Sequence, residues 1–199
     1  KESDLDVLIV VKRGRIWTAR ILIIFLLSLL GVRRTRYEKI APDKICLNHF
    51  ITDKSLYIPR KSIYTAQLYA RLAPIFGEKK LVDDFIEANL WIGEYIPNWK
   101  KTFNFQFSNS KFLNFIKKTG EKILDTKLGD WLESILKKYQ LHRINNYHLT
   151  HKPGGRVKAD DESLEFHPDS PELKIIERYN EKMMELGFKD LTERSSFAK

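Results

Sequence analysis

Cysteine, long apolar runs and internal repeats are all scarce in this 199-residue chain, and each scarcity closes off a class of protein. With Cys46 as its single cysteine, the chain has no intramolecular disulfide framework, and a lone thiol fits a reducing compartment, so the expected location is cytoplasmic. The most hydrophobic stretch is Ile21 to Leu30 (ILIIFLLSLL), with Arg20 before it and Arg33, Arg34 and Arg36 after it. A bilayer span needs about 20 apolar residues, so this run is expected to be a buried helix and no membrane span is expected. That helix should start near Ile16 or Trp17 and stop at Gly31, since glycine accepts the left-handed backbone that closes helices. No secretory signal is read at the N-terminus. The chain opens without an initiator methionine, inside what looks like a motif, so further residues are expected ahead of Lys1.

Two familiar chemistries are also missing. His148, His151, Asp160, Asp161, Glu165 and His167 do not follow a zinc-ligand spacing. Pro153-Gly154-Gly155-Arg156 lacks the spacing of a phosphate-binding P-loop and reads as a hairpin turn.

What is present is a sizeable apolar fraction and an excess of positive charge. At 43% hydrophobic and 12% aromatic residues the chain can build a core. Trp17, Trp91, Trp99 and Trp131, with Phe103, Phe105 and Phe107, are read mainly as part of it. The formal net charge of +9 favours polyanionic partners, whether nucleotides, nucleic acid or an anionic surface. Lys12, Arg13, Arg15, Arg20, Arg33, Arg34 and Arg36 bracket the apolar helix. They fit either a solvated rim or a field that draws in a triphosphate or nucleic acid.

Asp4 to Val11 reads as a buried strand, and Lys44 to Thr52 as a second one that a helix connects in a parallel crossover. Helices follow over Lys61 to Ala73, from Lys79 to Pro97, and from Leu128 along the stripe Leu128, Trp131, Leu132, Ile135, Leu136 and Tyr139. Asn145 to Phe166 looks extended, and a last helix starts at Ser170-Pro171 and ends at Gly187. The expected class is α+β: a small α/β unit over residues 1–58, then a mainly helical, substrate-binding region over 59–199 with a short β-element.

Asp4 and Asp6 carry the chemistry. Two apart on a strand, their carboxylates leave from one face while Leu5, Val7, Ile9 and Val11 take the other. Packing gives a strand this apolar no reason for two acids at its start. Like charges roughly 7 Å apart repel unless a cation sits between them. Mg²⁺ takes oxygen ligands, commonly one or two carboxylates plus substrate phosphates. A pair of such ions can clamp the attacking and leaving oxygens of a nucleotidyl transfer. Ser3 could hold a phosphate oxygen through its hydroxyl.

The run Ser3-Asp4-Leu5-Asp6-Val7-Leu8-Ile9-Val10 resembles the Ser-Asp-x-Asp-hydrophobic signature of the DNA polymerase β-like nucleotidyltransferase superfamily. Gly14 to Arg20, Lys44 to Asn48, Glu87 to Ile92 and Phe166-His167-Pro168 are similar to stretches of bacterial nucleotidyltransferase-domain proteins. The resemblance implies a palm-like sheet over 1–58 in which Asp4 and Asp6 are catalytic and hold two Mg²⁺ ions. It implies an NTP substrate, with ATP among the candidates, and transfer of a nucleoside monophosphate to an acceptor with release of pyrophosphate. Ser3, Arg15 and Arg20 are the expected substrate-binding residues. The family's Gly-Ser turn would lie about ten residues before the dyad, ahead of Lys1. Its third carboxylate belongs on a later strand, where Lys44 to Thr52 offers Cys46, Asn48 and His49, with Asp43 and Asp53 only at the flanks. A nucleotide- or nucleic-acid-binding module without catalysis is therefore the alternative reading.

Overall fold

The computed structural model describes residues 4–35, 38, 40–100 and 111–188. The architecture is α+β, and the chain divides into two compact units. The first joins Lys1–Ser55 to Phe112–Pro168, and so extends well beyond the 1–58 segment. The second joins Leu56–Lys111 to Asp169–Lys199.

In the first unit β1 (Leu5–Val11) leads into α1 (Ile16–Leu29) and then β2 (Ile45–Thr52), which pairs with β1 in parallel. Later in the chain come α5 (Lys111–Leu124), α6 (Lys127–Asn145), β3 (Arg156–Ala159) and β4 (Ser163–His167). One four-stranded sheet results, in the order β1-β2-β4-β3, with β4 antiparallel to both neighbours. Gly129 opens α6 one turn after α5, where a Cβ would stand 1.8 Å from the Leu124 carbonyl oxygen, so only glycine fits there.

The pairing of β1 with β2 slips once. Asp6 faces Cys46 but Leu8 faces His49, so two steps along β1 match three along β2, and β2 carries an extra residue. That residue reverses the alternation of β2. Leu47 before it and Phe50 after it both reach the core, beside Ile9 and Val11 of β1. Ile16 and Trp17 of α1, Leu164 of β4 and Leu136 of α6 complete this core.

Helix α1 keeps the expected bounds, and Gly31, at φ +69°, turns the chain beyond it. It differs from expectation in its exposure. Only Ile16, Trp17 and Thr18 are buried, while Phe25 and Leu29 are 66% and 72% exposed, and Leu22, Leu26 and Leu30 are exposed too. The helix is apolar all round, and the sheet and α6 cover only part of it. Among the described residues no helix is long and apolar enough to cross a membrane. The stripe on α6 is corrected in the same way. Leu128, Trp131, Ile135 and Tyr139 are exposed, and the buried positions of that helix include Gly129, Glu133 and Gln140.

The β3–β4 hairpin turns at Asp160–Glu162 instead of at Pro153-Gly154-Gly155. Asp160 Oδ1 accepts the Glu162 and Ser163 N–H groups, an Asx turn that tightens the reversal without glycine.

The second unit contains α2 (Ile63–Ala70), α3 (Lys79–Ala88), α4 (Ile92–Tyr95) and α7 (Glu172–Glu185). Asn89 separates α3 from α4. Its side chain accepts the Ile58 N–H and donates to the Leu56 and Phe85 carbonyls, competing with helix continuation. Trp91 and Trp99 are buried here, as Trp17 is in the first unit, whereas Trp131 is 63% exposed. Phe103, Phe105 and Phe107 lie outside the described residues.

Candidate metal centre

Asp4 and Asp6 bracket the first residue of β1, and Cys46 enters β2 directly opposite Asp6. Ahead of the register slip, even-numbered residues of both strands share the face turned away from α1. One ligand atom from each of Asp4, Asp6 and Cys46 falls within 4.8 Å of the others. Among the described residues this is the one such group of acid, histidine or cysteine side chains. The sequence therefore brings the two acids together as their spacing requires, and the parallel pairing adds a thiol.

Two polar side chains orient the carboxylates. Arg34 donates to Asp4 Oδ2 at 2.6 Å, and Asn48 donates from Nδ2 to Asp6 Oδ1 at 2.6 Å. Arg34 reaches across because Val32 to Arg34 run alongside the start of β2. The Ile45 N–H bonds the Val32 carbonyl, the Arg34 N–H bonds the Ile45 carbonyl, and Arg33 pairs with Ile45. Adjacent side chains of an extended segment diverge, so Arg34 points toward Asp4 and Arg33 toward α1. Asp4 in turn holds the Arg34 guanidinium more firmly protonated than usual, chiefly through their hydrogen bond.

Burial, followed by the Asp6 charge, pushes the Cys46 thiol up to about 12. The thiol is therefore neutral near pH 7. Two carboxylates against one guanidinium leave the cluster one negative charge in excess, which is the condition under which a cation stabilises it. Asp4 and Asp6 are the residues that could hold an oxygen-preferring divalent ion, with Arg34 bonded to one oxygen of Asp4 and Asn48 to one oxygen of Asp6. The neutral sulfur is a poor ligand for Mg²⁺.

The same face continues across the sheet. His49, paired with Leu8 on one side and Glu165 on the other, is buried, and that burial lowers its pKa to about 4. Glu165 is the next acid on this face, and it is ion-paired to the buried Arg156.

The other expected site residues are elsewhere. Ser3 and Arg36 lie outside the described residues. Arg15 follows the far end of β1, about 20 Å along the strand from Asp4 at 3.3 Å per residue, and pairs with Asp130 at 2.6 Å. The dyad and Arg15 are not brought together. Arg20 belongs to the α1 side of the sheet, where it donates to Gln140 Oε1 at 2.7 Å and covers the Phe166 ring at 4.5 Å. Asp53 lies beyond the far end of β2 and accepts the Arg13 N–H. His148 and His151 join no metal-binding group.

Arg34, Cys46 and Asn48 were legible only as a basic cluster member and as occupants of a strand. The signal that could have singled them out is the register of a parallel pair, which sets Cys46 beside Asp6 once the two strand starts are aligned. No family model matches the chain, and neither a curated protein nor a solved structure matches it.

Proposed function

We propose that this chain is a divalent-cation-dependent nucleotidyltransferase of the polymerase β-like kind, with Asp4 and Asp6 as its metal ligands. The observation that carries the reading is the convergence of these two carboxylates at the mouth of β1, within 4.8 Å of each other and of Cys46. Support comes also from the hydrogen bond that each acid accepts through one of its oxygens, as metal-binding carboxylates commonly do. When bound, Mg²⁺ would neutralise triphosphate charge and polarise the phosphorus under attack.

In this reading an acceptor oxygen forms a bond to the α-phosphorus of an NTP. The bond from that phosphorus to the bridging oxygen breaks, and pyrophosphate leaves with the electron pair. The acidic pair would hold the ion, with Asn48 bonded to Asp6 and Arg34 balancing part of the negative charge. The proton of the acceptor passes to solvent, since among the described residues the group holds no third carboxylate to take it.

Calorimetric titration of the chain with ATP tests this. Binding is expected to tighten when Mg²⁺ replaces EDTA, and Asp4→Ala is expected to remove that increment. Equal affinity with Mg²⁺ and with EDTA overturns the reading.

Cys46 favours a second reading. It stands beside the dyad on the strand where the resemblance leads one to expect a third acid, so the chain could bind nucleotide without transferring it. Mg²⁺-enhanced ATP binding with no pyrophosphate released across a panel of hydroxyl acceptors supports this version.

A further inference from the structure

Several arginines pair with acids: Arg13 with Glu162, Arg15 with Asp130, Arg34 with Asp4, Arg60 with Glu172 and Arg156 with Glu165. Among those that do not, Arg20 feels the charges of both Arg33 and Arg143. Arg20 is half-buried on α1, with its Nε buried and without a hydrogen-bond partner among the described residues. Its guanidinium is held by Gln140 and by the Phe166 ring. Arg143 follows Gln140 by three residues on α6, so both side chains leave from one face of that helix. It is steadied over the Tyr139 ring at 5.7 Å and donates to the Tyr139 hydroxyl. Arg33 donates to Ser28 Oγ at 3.0 Å, which turns it to the α1 side. Among the described residues no carboxylate forms an ion pair with any of the three.

Burial first, then the charges of Arg33 and Arg143, lower the Arg20 pKa to about 10, so Arg20 stays cationic at neutral pH. The charges of Arg33 and Arg143 both act against that of Arg20, which is partly desolvated. Such a cluster becomes favourable when an anion of more than one charge joins it. Planar guanidinium forks match the oxygens of a phosphate, and flat aromatic supports keep two of these forks from wandering.

We propose that Arg20, Arg33 and Arg143 form a binding site for a phosphate group, separate from the acidic pair. The separation follows from the sheet. Leu8, His49 and Glu165 are direct partners and share the face of Asp6, whereas Phe166 beneath Arg20 packs into the core on the opposite face. Arg33 and Arg34 stand back to back at the sheet end, one serving each face. The ligand that fits is a soluble polyphosphate, which offers its oxyanions to these forks.

The test is calorimetric titration of the full chain with pyrophosphate in EDTA, where no divalent ion can recruit the ligand to Asp4 and Asp6. Saturable binding is expected. Arg33→Ala and Arg143→Ala should each weaken it about tenfold, the equivalent of one charge-assisted hydrogen bond. Asp6→Ala should leave it unchanged, so failure here is distinguishable from failure of the metal centre. Arg20→Lys keeps charge and stem but loses the fork, and should weaken binding with the circular dichroism spectrum intact. Absence of binding in EDTA, or affinity unaltered in the Arg33 and Arg143 variants, overturns the proposal. Competition by a single-stranded oligonucleotide overturns the soluble-polyphosphate assignment in favour of nucleic acid. Competition by phosphatidylglycerol vesicles overturns it in favour of a lipid surface.

Discussion

The acids at the mouth of β1 and the acids inside the protein behave in opposite ways. Glu133 is 9% exposed, and both its oxygens are taken by backbone donors: Oε1 by the Trp17 N–H at 3.0 Å and Oε2 by the Thr18 N–H at 2.8 Å. Helix α1 has no side-chain cap of its own, and Glu133 caps it from α6, placing negative charge at the positive end of its dipole. Glu172, fully buried in the second unit, is bonded by the Ser62 and Thr65 hydroxyls and paired with Arg60. Asp6, by contrast, is exposed, and among the described residues only Asn48 bonds its carboxylate, through Oδ1. A buried acid whose oxygens are occupied by the protein is a structural element. An exposed acid bonded through one oxygen, beside another acid, keeps its second oxygen accessible to solvent and ions.

The strongest way to break this contrast is to remove an acid from each region. Asp6→Ala should lower Mg²⁺-dependent nucleotidyl transfer by about 10²–10³-fold, the loss that follows deletion of one charge-stabilising group. Its melting temperature should stay close to that of the parent chain. A variant that unfolds would make Asp6 structural and sink the distinction.

A titration sharpens it on the same sheet face. His49 looks onto Glu165, His167, Arg156 and Lys158, and burial lowers its pKa from 6.5 to about 4. Between those values the unfolded chain binds a proton that the folded chain does not. Stability should therefore fall as pH drops from about 6.5 to about 4, by about 3 kcal/mol from this group, and its contribution should be flat above that window. Denaturant melts across this range should show the slope, and His49→Gln should reduce it.

Glu133→Ala should cost about 2 kcal/mol by leaving two buried N–H groups of α1 without acceptors, and should leave Mg²⁺ affinity unchanged. Urea unfolding and metal titration of the same variant check both halves. The smallest effect is expected at Asn48→Ala. It frees Asp6 to rotate and should weaken Mg²⁺ binding about tenfold without moving the melting midpoint.

Much of the site was open to inspection in the primary structure because its parts are local. Asp4 and Asp6 share a face through strand periodicity alone, and the bounds of α1 follow from an apolar run that glycine ends. Most of the misreadings were about what lies opposite. The Leu128–Tyr139 stripe promised a buried face, but α6 turns Glu133 and Gln140 inward. Glu133 serves the Trp17 and Thr18 N–H groups, and Gln140 donates to the Trp17 carbonyl. Arg15, expected as a substrate contact from the basic cluster and the resemblance, lies a whole strand away from the dyad and pairs with Asp130. The hairpin turned on Asp160 and not on glycine, since one carboxylate accepting two N–H groups closes a reversal as well as a flexible backbone does.

What the amino-acid order determined by itself was the acid dyad, the strand that carries it, the crossover to a second strand, and the excess of positive charge. These depend on neighbours within a few positions, which backbone geometry converts directly into direction. Tertiary structure alone decided that Cys46 and Asn48 would frame the dyad, that Arg34 would reach Asp4 while Arg33 turned away, and that Arg143 would join Arg20. Those meetings depend on strand register, on one extra residue in β2 and on how α6 lies against α1, and pairing between distant segments leaves no periodic mark on either one.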